Sequence, residues 1–182
     1  MKFADQFYKI RGKFRITVED VVSHKTWIHY EDDNTIVLIA KRNVTRMIGN
    51  DNVTQRVLTK MKFGDGGHVS DPLDPNFGQA TATNENIEDL TNTIITKNIS
   101  SVTFTDSLVN QTSSALFEAI IDTTEGNGAG GTQIYSEAGL FTLNETYVSG
   151  TIKNSGLFAV KHFPILTKTA ELRFVFNWTI TI

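Results

Sequence analysis

Residues 172–182, Leu-Arg-Phe-Val-Phe-Asn-Trp-Thr-Ile-Thr-Ile, put Leu172, Phe174, Phe176, Trp178, Ile180 and Ile182 on one parity, and Arg173, Val175, Asn177, Thr179 and Thr181 on the other. Successive side chains of a strand leave on opposite sides, so this is one strand with an apolar face and a face that can meet water. A face of that size has to be covered by a second sheet, a helix or another subunit. The second sheet of the same domain is the favoured cover, because 182 residues suffice for one proper core and would be cramped as two domains.

The rest of the chain repeats the rhythm. Lys-Phe-Arg-Ile-Thr-Val and Thr-Trp-Ile-His-Tyr, within residues 12–31, predict one or two strands. Asp33-Asn34-Thr35 offers a helix N-cap. After it, Ile36, Val37, Ile39, Ala40, Val44, Met47 and Ile48 recur at helical spacing until Gly49-Asn50, predicting a helix over 34–49 that docks on a sheet. Residues 56–63 alternate again, with Val57, Thr59, Met61 and Phe63 on one side. Further strands are predicted at 92–97, 100–106, 114–124, 132–143, 148–162 with a break, and 170–182. The fold class is mainly β, an antiparallel β-sandwich with one packed helix and long loops. The predicted division is an N-terminal extension, residues 1–33, followed by a sandwich domain, residues 34–182.

Two glycine-rich segments invite a phosphate-binding reading. Gly64-Asp65-Gly66-Gly67-His68 lacks the Lys-Ser/Thr of a P-loop, and Glu125-Gly-Asn-Gly-Ala-Gly-Gly131 joins strands instead of opening a helix. Both read as exposed connections, the second as a tip too flexible to pack. Asp65, Asp71, Asp74 and Asn76 crowd one loop with oxygen ligands suited to calcium, but Asp beside Gly or Pro is ordinary turn chemistry and the spacing is not that of an EF-hand. Glu31-Asp32-Asp33 reads as a solvated turn before the helix. His24, His29, His68 and His162 form no HExxH or facial-triad pattern, and no Gly-x-Ser-x-Gly elbow presents a nucleophile. Phe174, Phe176 and Trp178 share a face with Ile and Leu and read as core, whereas Tyr30, Tyr135 and Tyr147 fall near strand ends as candidate rim residues.

Composition removes further classes. A formal charge of −3 gives no general attraction to nucleic acid or an anionic membrane, and the absence of cysteine removes disulfides, zinc–thiolate sites and iron–sulfur clusters. No stretch approaches the apolar length of a membrane span, and the start, Met-Lys-Phe-Ala-Asp-Gln-Phe, lacks the apolar run of a signal peptide, so folding in a cytoplasm is expected. Six Asn-x-Ser/Thr triplets, at Asn43, Asn52, Asn98, Asn110, Asn144 and Asn177, then reflect an Asn/Thr-rich composition.

Three segments occur in a telling order: Met61-Lys-Phe-Gly-Asp-Gly-Gly67 ending a strand; Ile134-Tyr-Ser-Glu-Ala-Gly-Leu-Phe141; and Gly156-Leu-Phe-Ala-Val-Lys-His-Phe-Pro-Ile-Leu-Thr-Lys168, leading into Phe-Asn-Trp-Thr-Ile-Thr-Ile. This order resembles a class of tailed-bacteriophage virion proteins of the tail, baseplate and neck, in which a Gly-x-Gly turn, a Ser-Glu-x-Gly-Leu-Phe strand and a Phe-Pro-x-x-x-Lys corner precede a closing Trp-Thr-Ile strand. The likeness spans residues 34–182 and leaves the first thirty aside. This chain departs from it in carrying His68 and a second Asp-Pro in the glycine loop, and Ala138 where a branched aliphatic is commoner.

On the matching positions, Gly139 and Gly156 are expected at a close backbone approach or bulge, and Pro164 at a bend that turns the chain into the last strand. Glu137 needs a partner if buried, with Lys161, Lys168 or Arg173 as candidates, and Trp178 closes the core. The resemblance implies a structural, non-enzymatic component of a virion, folded in the bacterial host cytoplasm, with no cofactor. It would work through other virion proteins and a homo-oligomeric ring or trimer. The alternative is a carbohydrate- or host-receptor-binding fibre or decoration module. The candidate interface elements are the N-terminal thirty residues, the loop 64–78 (Gly64, Asp65, Gly66, Gly67, His68, Asp71, Pro72, Asp74, Pro75) and the tip 125–131 (Asn127, Gly128), all read as dispensable for the core.

Overall fold

The computed structural model describes residues 10–49, 56–143 and 156–182. In chain order these form β1 (Arg11–Asp20), β2 (Lys25–Asp33), β3 (Thr35–Ile36), α1 (Leu38–Ile48), β4 (Leu58–Gly64), β5 (Thr93–Asn98), β6 (Ser101–Ser107), β7 (Thr112–Ile121), β8 (Thr132–Thr142), β9 (Leu157–Thr169) and β10 (Leu172–Thr181). The strands make two five-stranded antiparallel sheets, the first ordered β2-β1-β10-β7-β6 and the second β3-β9-β8-β4-β5. The first half of the strand predicted over 148–162, Tyr147, Asn52, Asn144 and residues 1–9 lie outside the described residues.

The closing strand is covered by the chain's own second sheet. Phe174, Phe176 and Trp178 are fully buried. Phe63 of β4 packs on Phe176 with ring centroids 4.1 Å apart, and Tyr135 of β8 meets Phe174 edge-on at 6.4 Å. Phe14 of β1 links the layers, 4.7 Å from Trp178 and 5.8 Å from Phe163 of β9. Side chains of this size each contribute about 1.5–3 kcal/mol by leaving water. Ile182 alone of the apolar parity stands half outside.

Four expectations need correction. The N-terminal segment is no arm outside the core: β1 lies beside β10 from Arg11 opposite Thr181 to Asp20 opposite Leu172, and Phe14, Ile16 and Val18 are fully buried. The alternation of residues 11–18 makes β1 as amphipathic as β10, so the boundary at residue 33 divides nothing in the core.

The helix begins at Leu38, and its N-cap is Val37, without a side-chain bond. Thr35–Ile36 instead pair with Ala159–Val160, and the first helical N–H, from Leu38, donates to the Glu85 carbonyl. Glu31, Asp32 and Asp33 belong to β2. There Glu31 bonds Lys13 and Arg15, and Asp32 meets Lys161 Nζ at 2.7 Å.

Pro164 does not turn the chain. β9 runs through it, and the reversal comes after Thr169. Leu166 lies opposite Tyr135 but His162 opposite Glu137, so β9 bulges away from β8 around the proline, whose missing N–H costs no ladder bond there.

Alternate residues of a central strand usually divide between core and surface, yet β8 is buried from Tyr135 to Thr142 without interruption. Ala138 and Leu140 face the inner layer with Phe63 and Met61. Glu137, Gly139 and Phe141 face outward and are buried all the same. A third layer lies on this face: the long β4–β5 connection, with Leu90 beside Gly139 and Thr91 and Asn92 on Glu137, and α1, with Ala40 buried, against β9. Among the described residues the first sheet has no such layer.

Candidate functional site

The outer face of the second sheet carries the most concentrated polar chemistry. β4 ends in Gly64-Asp65-Gly66-Gly67, and the chain there doubles across β8. A Cβ on Gly64 would collide with the Asn92 carbonyl and the Glu137 carboxylate, one on Gly66 with Thr91, and one on Gly67 with the Ser136 carbonyl. Glycine is required for that close approach, not for display. Gly64 and Gly67 are buried, and Asp65, Gly66 and His68 are half-buried.

Glu137 is fully buried at the centre. Its Oε1 accepts the N–H groups of Asn92 at 2.8 Å and Gly66 at 3.1 Å, and its Oε2 accepts that of Thr91 at 3.0 Å. One carboxylate thus ties both ends of the long connection to the sheet. A buried charge needs such donors, each bond to a charged group being worth about 1.5–3 kcal/mol. The lysine and arginine partners anticipated for Glu137 bond elsewhere: Lys161 to Asp32, Lys168 to Asn127 and Arg173 to Glu19. His162 approaches Glu137 instead, its Nε2 3.8 Å from Oε2, an ion pair only when the ring is protonated.

His162 Nδ1 lies 2.8 Å from Thr81 Oγ1, which is also 3.1 Å from the Gly67 carbonyl. Neutral His162 can accept the Thr81 hydroxyl at Nδ1 and keep its remaining N–H toward Glu137. Protonated, it donates from both nitrogens, and the hydroxyl turns to Gly67. Burial holds the His162 pKa below its ordinary value, against the opposing pull of Glu137. Next to it Ser136, also fully buried, accepts the Gly67 N–H at 3.0 Å and lies 2.9 Å from His68 Nδ1. Ser136–His68 and Glu137–His162 are separate pairs rather than one relay, and the hydroxyl is closed off from solvent. Both pairs fasten the loop to the sheet.

Gly139 continues this packing, since a Cβ there would press on Phe141 and Leu157. Gly156 takes a left-handed φ of 75° at the entry to β9. Beyond His68 the connection projects. Asp71 Oδ1 accepts the Leu73 N–H and Asp74 Oδ1 that of Asn76, so these carboxylates cap their own turns, while Asp65 bonds Asn92 Nδ2 at 2.6 Å. Among the described residues no three His, Asp or Glu side chains gather as a metal set. Pro72 and Pro75 are exposed, and between and after them Leu73 is 90% and Phe77 49% exposed.

The glycine tip, expected to be too flexible to pack and exposed, is exposed only from Gly128 to Gly131. Its first half is anchored. Gly126 offers its carbonyl to the Tyr135 hydroxyl at 3.0 Å, and Asn127 Oδ1 accepts Lys168 Nζ at 2.8 Å. Tyr135 is therefore core, not rim, and burial, with the charge of Glu125 behind it, pushes its pKa up to about 12. Lys168 is fully buried over the Phe174 ring, and burial lowers its pKa while Asp122 and Glu125 pull it back.

Comparison with protein-family models, curated proteins and solved structures finds no match for this chain.

Proposed function

We propose that this protein is a structural subunit of a tailed-phage particle, in the tail, neck or baseplate, acting through protein–protein contacts within a symmetric assembly. The observation that carries the reading is where large apolar side chains are left in water. Leu73 and Phe77 stand on the projecting connection, Phe104 stands at the middle of β6, and Leu108 and Val109 stand at the turn of the β6–β7 hairpin, the last three exposed by 72%, 94% and 93%. Apolar groups held outward on anchored elements suit docking, and the buried polar groups of the second sheet serve to hold one of those elements still. The resemblance of the order of sequence segments to that of phage virion proteins is what points the reading to such a particle. A carbohydrate- or receptor-binding module would gather aromatics on one surface. Here Trp27 stands on β2 and Phe104 on β6, opposite edges of the first sheet, while Phe77 is on the loop outside the second. That separation ranks the binding-module reading below.

Light scattering on the purified chain, together with co-sedimentation with virion proteins expressed alongside it, tests the proposal. An oligomer or a stable complex with those proteins supports it. A strict monomer that joins none of them contradicts it.

A further inference from the structure

Among the described residues the two sheets present four edges, and three of them are defended against pairing. β2 carries Lys25, Glu31, Asp32 and Asp33 and a bulge against β1, β3 has two residues, and β5 has Lys97 and an irregular register with β4. These are the devices that keep edge strands from joining other chains. β6 has none of them. Its seven residues, Ser101-Val-Thr-Phe-Thr-Asp-Ser107, pair with β7 without a register break, contain no proline or lysine, and carry one charge, Asp106, already bonded to Ser113 Oγ at 2.7 Å.

The free hydrogen-bonding groups of this edge can be located. Ser113 and Ile182 exchange both backbone bonds, so odd residues of β7 face β10 and even residues face β6. Ser114, Leu116 and Glu118 lie opposite Thr105, Thr103 and Ser101, which leaves the N–H and C=O of Val102, Phe104 and Asp106 pointing away from the sheet. Val102 and Phe104 lie opposite Phe117 and Ala115, hence on the core side, yet they are 40% and 72% exposed because the second sheet does not extend over them.

The sequence of this edge reads nearly the same in both directions about Phe104: serine at 101 and 107, threonine at 103 and 105. A strand pairing antiparallel with its own copy across a twofold axis sets residue i opposite residue j of the copy and j opposite i, so an axis at Phe104 brings like residues together at 101/107 and 103/105 and sets Val102 opposite Asp106. We propose that β6 pairs with β6 of a second copy of this chain, antiparallel about a twofold axis at Phe104, joining the two first sheets into one. Val102, Phe104 and Asp106 exchange backbone bonds with Asp106, Phe104 and Val102 of the second copy. The two phenylalanines stack on the core side, and Thr103 faces Thr105 on the other, both favourable cross-strand pairs. This goes beyond the virion reading and stands or falls separately from it.

Because the chain has no cysteine, one introduced thiol reports the register. Phe104→Cys would face its own copy at a Cα separation of about 5.5 Å, within disulfide reach. Val102→Cys faces Asp106, and its copy lies about 13 Å further along the strand. Mild oxidation is expected to give a covalent dimer of Phe104→Cys and leave Val102→Cys monomeric. Equal cross-linking at both positions, or none at Phe104→Cys, overturns the pairing.

In sedimentation, Phe104→Lys, which sets like charges opposite each other, is expected to weaken the wild-type dimer at least about tenfold, with a thermal melt unchanged at dilutions where both are monomeric. A wild type that sediments as a monomer at every concentration also overturns the pairing. An assembly that survives Phe104→Lys unchanged overturns it while leaving the subunit reading intact.

Discussion

The two sheets are alike in strand number and direction and differ in how their outer faces are finished. On the second sheet the outward positions of β8 from Glu137 to Phe141 are buried, with the long connection over Glu137 and Gly139, and a carboxylate bonds three backbone N–H groups to hold that layer down. On the first sheet the outward rows, such as Lys13, Thr179, Leu116 and Thr103, remain in contact with water, and β6 lies open at the edge. The difference teaches that burial on both faces of a sheet here depends on a polar anchor, because a loop has few apolar side chains with which to hold itself to a strand. A sheet without such an anchor keeps its surface available to others.

Removing the anchor is the severest way to break the contrast. Glu137→Ala leaves the N–H groups of Gly66, Thr91 and Asn92 without an acceptor in a buried site, and is expected to lower the stability measured by urea unfolding by about 3–5 kcal/mol, as much as Phe176→Ala in the core. Glu137→Gln keeps one good acceptor and is expected to lose roughly half as much. Next comes Gly67→Ala, whose methyl group meets the Ser136 carbonyl. With backbone rather than a flexible side chain in the way, about 2–3 kcal/mol is expected from the same unfolding measurement.

How much of this the sequence disclosed depends on which atoms carry the interaction. The strands β4 to β8 and β10 and the burial of Phe174, Phe176 and Trp178 were legible because side-chain parity is written in residue type, whereas β9, which runs on through Pro164 to Thr169, was cut short. The odd position of Glu137 in an apolar strand was legible too. Its partners were not: backbone N–H groups of Gly66, Thr91 and Asn92 have no residue signature, so a search for a charged partner found lysines that bond elsewhere. Thr81 and Ser136 were missed for the same reason. Asp33-Asn34-Thr35 gave a false helix start because tertiary pairing of β3 with β9 overrode a local cap, and Pro164 gave a false corner because a bulge tolerates proline. The alternation of residues 11–18 would have placed β1 in the core had it been weighed equally with that of β10.

The pH dependence sharpens the contrast less severely. His162 titrates below its ordinary value of 6.5 in the folded chain because it is buried. As pH falls through the unfolded value the unfolded chain takes up a proton that the folded chain resists, so this contribution is fully present at pH 7 and is lost toward pH 5. Urea midpoints at those two pH values are expected to differ less in His162→Gln than in the wild type. The smallest effect belongs to the first sheet. Thr179→Val on its outward face touches no anchor, and its thermal melt is expected to correspond to a change within about 0.5 kcal/mol.

Amide hydrogen exchange reads both sheets at once. If Glu137 fastens the outer layer, the amides of Gly66, Thr91 and Asn92, though they lie at or beyond strand ends, will exchange as slowly as those of β8 and β10, and Glu137→Gln will speed all three together while β10 is unchanged. Exchange of these three amides at the rate of the projecting residues 71–77 in the wild type would contradict the account.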